Sequence, residues 1–261
     1  MGVLNVTPDS FSDGGKFNLL NLALKHVNSM LEHGADIIDI GGESTKPGSD
    51  PVSVDEELNR VIPVVIEVKK RSNNALISVD TYKSVVAKEA IEAGADIIND
   101  ISGLAYDKDM APLLAKNDVP VVLMHIQGKP KTMQENISYN DLIDDIKQYF
   151  ERRCDYALKS GIKKNNIILD PGIGCGKTFN NNFKLLKNLK KFKNMAYPLL
   201  IGPSRKAFIG DVLNLPPDER LEGTIATVVA GILNGANIVR VHDVKEIKRA
   251  VVVTENILAA R

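Results

Sequence analysis

Short apolar, β-branched runs alternate with longer stretches whose apolar positions recur every three or four residues. The extended runs are Val3-Leu4-Asn5-Val6, Ile37-Ile38-Asp39, Leu76-Ile77-Ser78-Val79-Asp80, Ile97-Ile98-Asn99, Val119 to Met124, Ile167-Ile168-Leu169-Asp170, Leu199-Leu200-Ile201-Gly202 and Ile238-Val239-Arg240. Helical patterning separates them, as in Val54 to Lys70, Ser84 to Ala93, Leu142 to Ser160 and Val244 to Ala259. One junction repeats. Gly34-Ala35-Asp36-Ile37-Ile38-Asp39 recurs as Gly94-Ala95-Asp96-Ile97-Ile98-Asn99, and more loosely as Gly235-Ala236-Asn237-Ile238-Val239-Arg240. Each glycine follows a helix-like segment, where a left-handed backbone closes the helix. At roughly 30–35 residues per βα unit, the copies fall about two and about four units apart. They therefore open strands 2, 4 and 8. Eight strands alternating with helices predict an α/β chain folded as a (β/α)8 TIM barrel, a single domain over residues 1–261. An open doubly wound sheet is the structural alternative, and the even-strand phase of the repeat favours closure.

Length and composition fit this reading. The chain has 261 residues, and barrels of this kind take about 250. Its 33 basic and 33 acidic residues cancel, which argues against a nucleic-acid binder that works by blanket charge. No apolar run reaches the roughly 18 residues of a membrane span. The first residues carry neither the basic region nor the apolar stretch of a signal peptide, and strand 1 starts almost at Met1. Cys154 and Cys175 are too few for a zinc site or a disulfide framework, which points to reduced thiols in the cytoplasm. The four histidines show no metal-ligand spacing.

Barrel chemistry lies at the C-terminal strand ends. Those ends carry Asn5, Asp39, Asp80, Asn99, His125, Asp170, Lys206, Arg240 and His242. A protein built only to pack has little use for so many amides and carboxylates there. Arg240 and His242 alternate along strand 8, so both face one side, and Lys206 starts a helix whose free N–H groups favour an anion. Asp80, Asn99 and Asp170 offer the acceptors and donors that suit the edge of a guanidine-like ring. Gly172-Ile173-Gly174-Cys175-Gly176-Lys177-Thr178 imitates a phosphate-binding loop, but Pro171 stands where that pattern needs glycine. Lys177 likewise breaks the dinucleotide fingerprint. ATP and NAD sites are excluded on this ground. Two glycine-rich loops, residues 7–15 and 41–48, read as mobile lids after strands 1 and 2.

Taken together, Asn5-Val6-Thr7-Pro8-Asp9-Ser10-Phe11-Ser12-Asp13-Gly14-Gly15 and Gly41-Gly42-Glu43-Ser44-Thr45-Lys46-Pro47-Gly48 resemble the first two loops of the dihydropteroate synthase family. Ser78-Val79-Asp80-Thr81, Asn99-Asp100, Leu123-Met124-His125, Leu169-Asp170-Pro171-Gly172, Ser204-Arg205-Lys206 and Arg240-Val241-His242 follow in the family's order, so the resemblance covers essentially the whole chain. It implies a barrel that joins p-aminobenzoate to 6-hydroxymethyl-7,8-dihydropterin diphosphate, releasing diphosphate and forming 7,8-dihydropteroate for folate synthesis. By the same resemblance, Asp80, Asn99, Met124, Asp170, Gly202 and Lys206 hold the pterin. Asn5, Arg240 and His242 hold the diphosphate, with Asn5 on Mg²⁺. Phe11, Ser12, Thr45, Lys46, Pro47, Cys175, Lys206 and Ala207 frame p-aminobenzoate. Asp13, Asn5, Lys206, Arg240 and His242 are the implied catalytic set, with Asp13 stabilising the cation that forms on the pterin methylene. A homodimer and competition by sulfonamides are also implied.

Three departures bear on the p-aminobenzoate side. Lys46 stands where the family usually has arginine, which loses a planar fork. Ala207 replaces a common serine and its hydroxyl, leaving the backbone N–H groups. Cys175 replaces a common phenylalanine, which loosens that wall and predicts weaker p-aminobenzoate binding. A preceding N-terminal strand or hairpin is expected to be absent or trimmed, and fusion to another folate enzyme stays open. Two other readings of the scaffold are a methyltetrahydrofolate–corrinoid methyltransferase and a non-catalytic pterin-binding protein. The first loop and the Arg240–His242 pair argue against the former, and the complete loops against the latter.

Overall fold

The computed structural model describes residues 1–7, 16–72 and 74–260. Among them run eight parallel strands: β1 (Gly2–Asn5), β2 (Ile37–Gly41), β3 (Leu76–Asp80), β4 (Ile97–Asp100), β5 (Val121–Met124), β6 (Ile167–Asp170), β7 (Leu200–Ile201) and β8 (Ile238–Val239). The helices are α1 (Lys16–Glu32), α2 (Val54–Arg71), α3 (Ser84–Glu92), α4 (Met110–Asn117), α5 (Leu142–Lys159), α6 (Phe179–Asn188), α7 (Lys190–Lys193), α8 (Ala207–Leu213), α9 (Leu221–Leu233) and α10 (Val244–Ala259). β1 to β6 form one sheet in chain order, and β7 pairs with β8. Single bridges join the two pieces into a ring. Leu169 of β6 meets Leu199 just before β7, and Val241 just after β8 meets Gly2 of β1. At the second seam Val3 N–H donates to Val241 O and Val241 N–H to Met1 O, each at 3.0 Å. These seams close the predicted barrel, which an open sheet could not do.

β7 and β8 are shorter than the sequence pattern suggests. Arg240 and His242 lie beyond β8, although Arg240 N–H still bonds Ile201 O at 2.9 Å and keeps the strand direction. Two helices rather than one follow β6, and two follow β7.

The two-residue period of a strand explains how the interior is layered. One apolar cluster fills the space between sheet and helices, where α2 turns Val61, Val64, Val65 and Val68 inward at helical spacing. A second, smaller cluster plugs the barrel itself: Met1, Ile97, Val122, Ile168 and Leu200, with Ile37 and Ile238 against it. Two residues further along the same strands come Asn99, Met124, Asp170, Gly202, Asp39 and Arg240. The register lines up Asn5, Gly41, Asp80 and Asn99 across the first four strands, and Met124 beside Asp170. The polar set therefore sits directly above an apolar floor.

The repeated glycines do what their position predicts. Gly34, Gly94 and Gly235 have φ of 88°, 106° and 105°. In each copy the next residue donates back across the last helical turn, as Ala95 N–H does to Ala90 O at 2.8 Å. Gly161, at φ 96°, makes a fourth such junction before β6, with Ile162 N–H on Ala157 O at 3.0 Å. The repeat's third residue then clamps the neighbouring strand. Asp96 accepts from Ile77 N–H at 2.7 Å, and Asn237 accepts from Leu199 N–H at 3.0 Å. Among the described residues, no helix is long and apolar enough to cross a membrane.

Replacing Gly94 by alanine forces a side chain into the left-handed region and places its Cβ 3.1 Å from Lys69 Cγ. The expected loss is about 1–2 kcal/mol in urea unfolding; an alanine variant as stable as the parent would remove the capping role.

Candidate active site

At the C-terminal mouth of the barrel, one guanidinium organises two carboxylates. Arg240 Nε donates to Asp39 Oδ2 at 2.6 Å, and its Nη2 donates to Asp80 Oδ2 at 2.9 Å. Asn99 Nδ2 donates to the same Asp39 oxygen at 3.2 Å. Asp39 is 0 % exposed; among the described residues its Oδ1 and the hydroxyl of Ser78 beside it are buried without a hydrogen-bond partner. Burial pushes the Asp80 carboxyl up to about 7, against the pull of Arg240 and with the push of Asp39. Of the diphosphate group expected from sequence, Arg240 thus lies with Asp80 and Asn99. Asn5 stands at the end of β1, in register with Gly41 and on the row of Asp80. His242 shares a 2.9 Å hydrogen bond between Nδ1 and Ser204 Oγ.

Asp170 forms the opposite wall. It is buried, its Oδ1 accepts from Gly172 N–H at 2.7 Å, and burial raises its pKa while Lys206 opposes the rise. Lys206 Nζ donates to Ile173 O and lies 3.9 Å from Cys175 Sγ. Lys206 therefore links Asp170 to Cys175, with buried Met124 beside Asp170. Gly202 leaves room at this wall: a Cβ there would rest against Arg240 Cβ at 3.8 Å.

The turn that delivers Lys206 is held from several sides. Arg205 has a left-handed backbone, φ 57°, an unfavourable choice for a residue with a Cβ. Its N–H donates to Thr224 Oγ1 at 3.0 Å, its carbonyl accepts from Arg220 at 3.0 Å, and its guanidinium grips both oxygens of Asp243. Lys206 is thereby fixed at the N-cap of α8, and Ala207 is the exposed first residue of that helix.

The glycine-rich loop after β6 is shaped by packing. Gly172, Gly174 and Gly176 all have positive φ, and a Cβ on Gly172 would sit 2.0 Å from His125 O. The loop folds back over the end of β5 and buries Lys177, whose ammonium donates to His125 Nδ1 at 2.9 Å, His125 O at 3.1 Å and Cys175 O at 2.8 Å. Burial draws Lys177 down to about 7, and burial with the neighbouring Lys177 draws His125 down to about 2. His125, a candidate from its strand-end position, is thus a packing residue, with its ring edge-on to Tyr149 at 4.8 Å. Sequence reasoning missed Lys177 as the latch of this wall; the signal was the run of alternate glycines ending in lysine.

Thr45 is half-buried and Lys46 and Pro47 are exposed on the loop after β2, apart from the hydrogen-bonded set. Phe11, Ser12 and Asp13 lie outside the described residues. For a metal, the described residues bring together no group of three or more His, Cys, Asp or Glu side chains. An amide oxygen such as that of Asn5 suits Mg²⁺, which takes few protein ligands and fills its shell from substrate phosphate and water.

A closed parallel barrel with carboxylates, an amide, a lysine and an arginine converging at its C-terminal mouth defines an enzyme for a small polar substrate. The chain belongs to the pterin-binding enzyme family, whose sequence profile matches residues 1–242. It is similar to dihydropteroate synthase of Clostridium beijerinckii, at 51 % identity over 99 % of this chain and 93 % of that one. It is also similar to dihydropteroate synthase of Escherichia coli, at 49 % identity over 100 % of this chain and 92 % of that one. Among solved structures, dihydropteroate synthase of Yersinia pestis in a sulfonamide drug complex superposes with a TM-score of 0.94 at 47 % identity, covering 100 % of this chain and 94 % of that one. The Xanthomonas albilineans dihydropteroate synthase with 4-aminobenzoic acid gives 0.94 at 38 % identity, covering 100 % of this chain and 93 % of that one.

Asp80 generates a pH signature. Its folded pKa, about 7, lies above the ordinary 3.8, so the folded protein holds this proton more tightly than the unfolded chain. That stabilisation is full below about pH 3.8 and is lost as pH rises through about 7. Asp80→Asn, which mimics the protonated acid, is expected to flatten the pH dependence of stability across this window. Parallel curves for parent and variant would show Asp80 ionised throughout.

Proposed function

We propose that the protein acts as a dihydropteroate synthase, joining 6-hydroxymethyl-7,8-dihydropterin diphosphate to p-aminobenzoate. The methylene C–O bond breaks and diphosphate leaves. The aromatic amine forms the new C–N bond and gives up one proton. The observation that carries this reading is the Arg240–Asp39–Asp80–Asn99 set facing Asp170 and Lys206 over an apolar floor, in a chain whose relatives bear that name. The first-loop motif and the Arg240–His242 pair favour displacement of diphosphate over methyl transfer.

In this reading Asp80, Asn99 and Asp170 accept from and donate to the polar edge of the pterin, Met124 and Gly202 bound its ring, and Lys206 closes the far side. The pterin's ring N–H donors favour the carboxylate form of Asp80. Asn5, Arg240 and His242 receive the diphosphate, and Asn5 would also hold Mg²⁺. Bound there, the metal supplies positive charge that makes diphosphate a better leaving group. The amine is a weak base and needs no strong general base, so the chemistry rests on charge stabilisation. Asp13 is assigned to the methylene cation from the first-loop motif alone. Phe11, Ser12, Thr45, Lys46, Pro47, Cys175 and Ala207 frame p-aminobenzoate, and sulfonamides compete for that place. The two free thiols, Cys154 and Cys175, fit a cytoplasmic enzyme.

The assay is dihydropteroate formation from the two substrates with Mg²⁺, followed by chromatography. Product is expected with the parent and a loss of more than tenfold in kcat/KM with Asn5→Ala. A parent that binds pterin but makes no product would overturn the synthase reading. The quaternary assignment is a homodimer through α8, α9 and α10, which leave Val212, Leu213, Leu233, Val253, Ile257 and Leu258 exposed. Light scattering should give twice the chain mass, and a monomer at micromolar concentration would refute it.

A further inference from the structure

At the neck of the loop after β2 lies a buried ion cluster that none of the assigned groups uses. Glu43 and Glu57 are 7 % and 1 % exposed, and Lys83 sits between them. The Lys83 ammonium donates to one oxygen of each carboxylate and to the Val52 carbonyl at 2.9 Å, which employs all three of its protons. Glu43 also accepts from the Tyr82 hydroxyl at 2.7 Å and from Val52 N–H at 3.1 Å. Both backbone groups of Val52 are thus tied to this cluster. Glu43 stands just past the end of β2, and Val52 just before α2. Residues 44–51 therefore leave and return through one pinch point, where β2, the first turn of α2 and the segment after β3 meet. The pinch is tight: a Cβ on Gly42 would lie 2.8 Å from Val61 Cγ2 and 3.1 Å from Glu57 Cγ.

Beyond the pinch the loop is held lightly. Among the described residues its ties to the rest of the molecule are Gly48 N–H on Pro130 O at 3.2 Å and the exposed Asp50–Lys131 ion pair. An exposed pair contributes little. Thr45, Lys46 and Pro47 are consequently placed from the neck. Two carboxylates and one ammonium are an expensive way to close a loop, because desolvating them offsets their attraction. Capping of α2 does not require them, since Ser53 already accepts from Glu56 N–H at 3.2 Å. What the cluster supplies is a fixed height and direction for the loop.

We propose that Lys83, clasped by Glu43 and Glu57, is a positioning residue that sets the β2 loop to receive p-aminobenzoate without touching the substrate itself. This rests on the reading that the loop frames p-aminobenzoate. Lys83→Met removes the three donors, and Glu43→Gln is a milder change that keeps volume but removes the charge and one of the two acceptor oxygens shared by Lys83, Val52 and Tyr82. Either variant should raise KM for p-aminobenzoate about tenfold while KM for the pterin diphosphate stays within about twofold. Hydrogen exchange by mass spectrometry on peptides covering residues 43–52 should quicken in both, whatever the activity. Two KM values that rise together, or an unchanged p-aminobenzoate KM with unchanged loop exchange, would overturn the proposal. A parent enzyme that makes no dihydropteroate would fail the functional reading separately, and the exchange result alone would then decide whether Lys83 anchors the loop.

Discussion

The Asp39 carboxylate has no exposed surface, and the guanidinium of Arg240 is what makes its position tolerable. That one contact ties the strand that comes last in the chain to the second, and through Asp80 to the third. Lone buried charges are costly, so Asp39, Asp80 and Arg240 can occupy the barrel mouth only as a set. Asn99 joins it through the same Asp39 oxygen. The spacing of the recognition surface follows from where this cation can reach, and the closed ring brings β8 within reach of β2.

The two ends of the barrel divide the work. At one end, glycine caps close four helix-to-strand junctions, and the Asp96 and Asn237 side chains clamp neighbouring strands without presenting a reactive group. At the other, the backbone itself is bent to present side chains. Arg205 accepts an unfavourable φ because its N–H, carbonyl and guanidinium are all engaged. The loop after β6 accepts three positive-φ glycines because Lys177 locks it onto His125. Lys206 is held between these two rigid pieces, so its ammonium is positioned by backbone as much as by charge.

Much of this could be read from the chain. The two-residue alternation that pairs Ile97 with Asn99, and Ile168 with Asp170, predicts both the apolar floor and the polar row above it. The glycine repeat predicts three of the helix-to-strand junctions; Gly161 escaped notice because Lys163 and Lys164 follow it in place of the apolar run. What could not be read are pairings between distant segments. Nothing local marks Lys83 as the partner of Glu43 and Glu57, because charges near loops ordinarily face water. Lys177 looked like the failed end of a nucleotide motif, and its contact with His125 depends on how far the loop after β6 folds back. The sequence marks Arg240 only as a partner of the diphosphate; its bonds to Asp39 and Asp80 depend on barrel closure, which strand patterns imply without giving distances.

Closure itself is uneven. The six-stranded sheet is laced by continuous ladders, whereas β7 and β8 are joined to it by one backbone bridge on each side and by the Arg240 ion pairs with Asp39 and Asp80. A local opening at those seams gives up fewer ladder hydrogen bonds than one within the six-stranded sheet. The segment it frees carries Lys206, Arg240 and His242 together, while Asn5, Asp80, Asn99 and Asp170 stay on the intact sheet. The seams thus divide the mouth into an acidic half and a basic half, joined by Arg240, and a ligand that touches both adds a second staple across them.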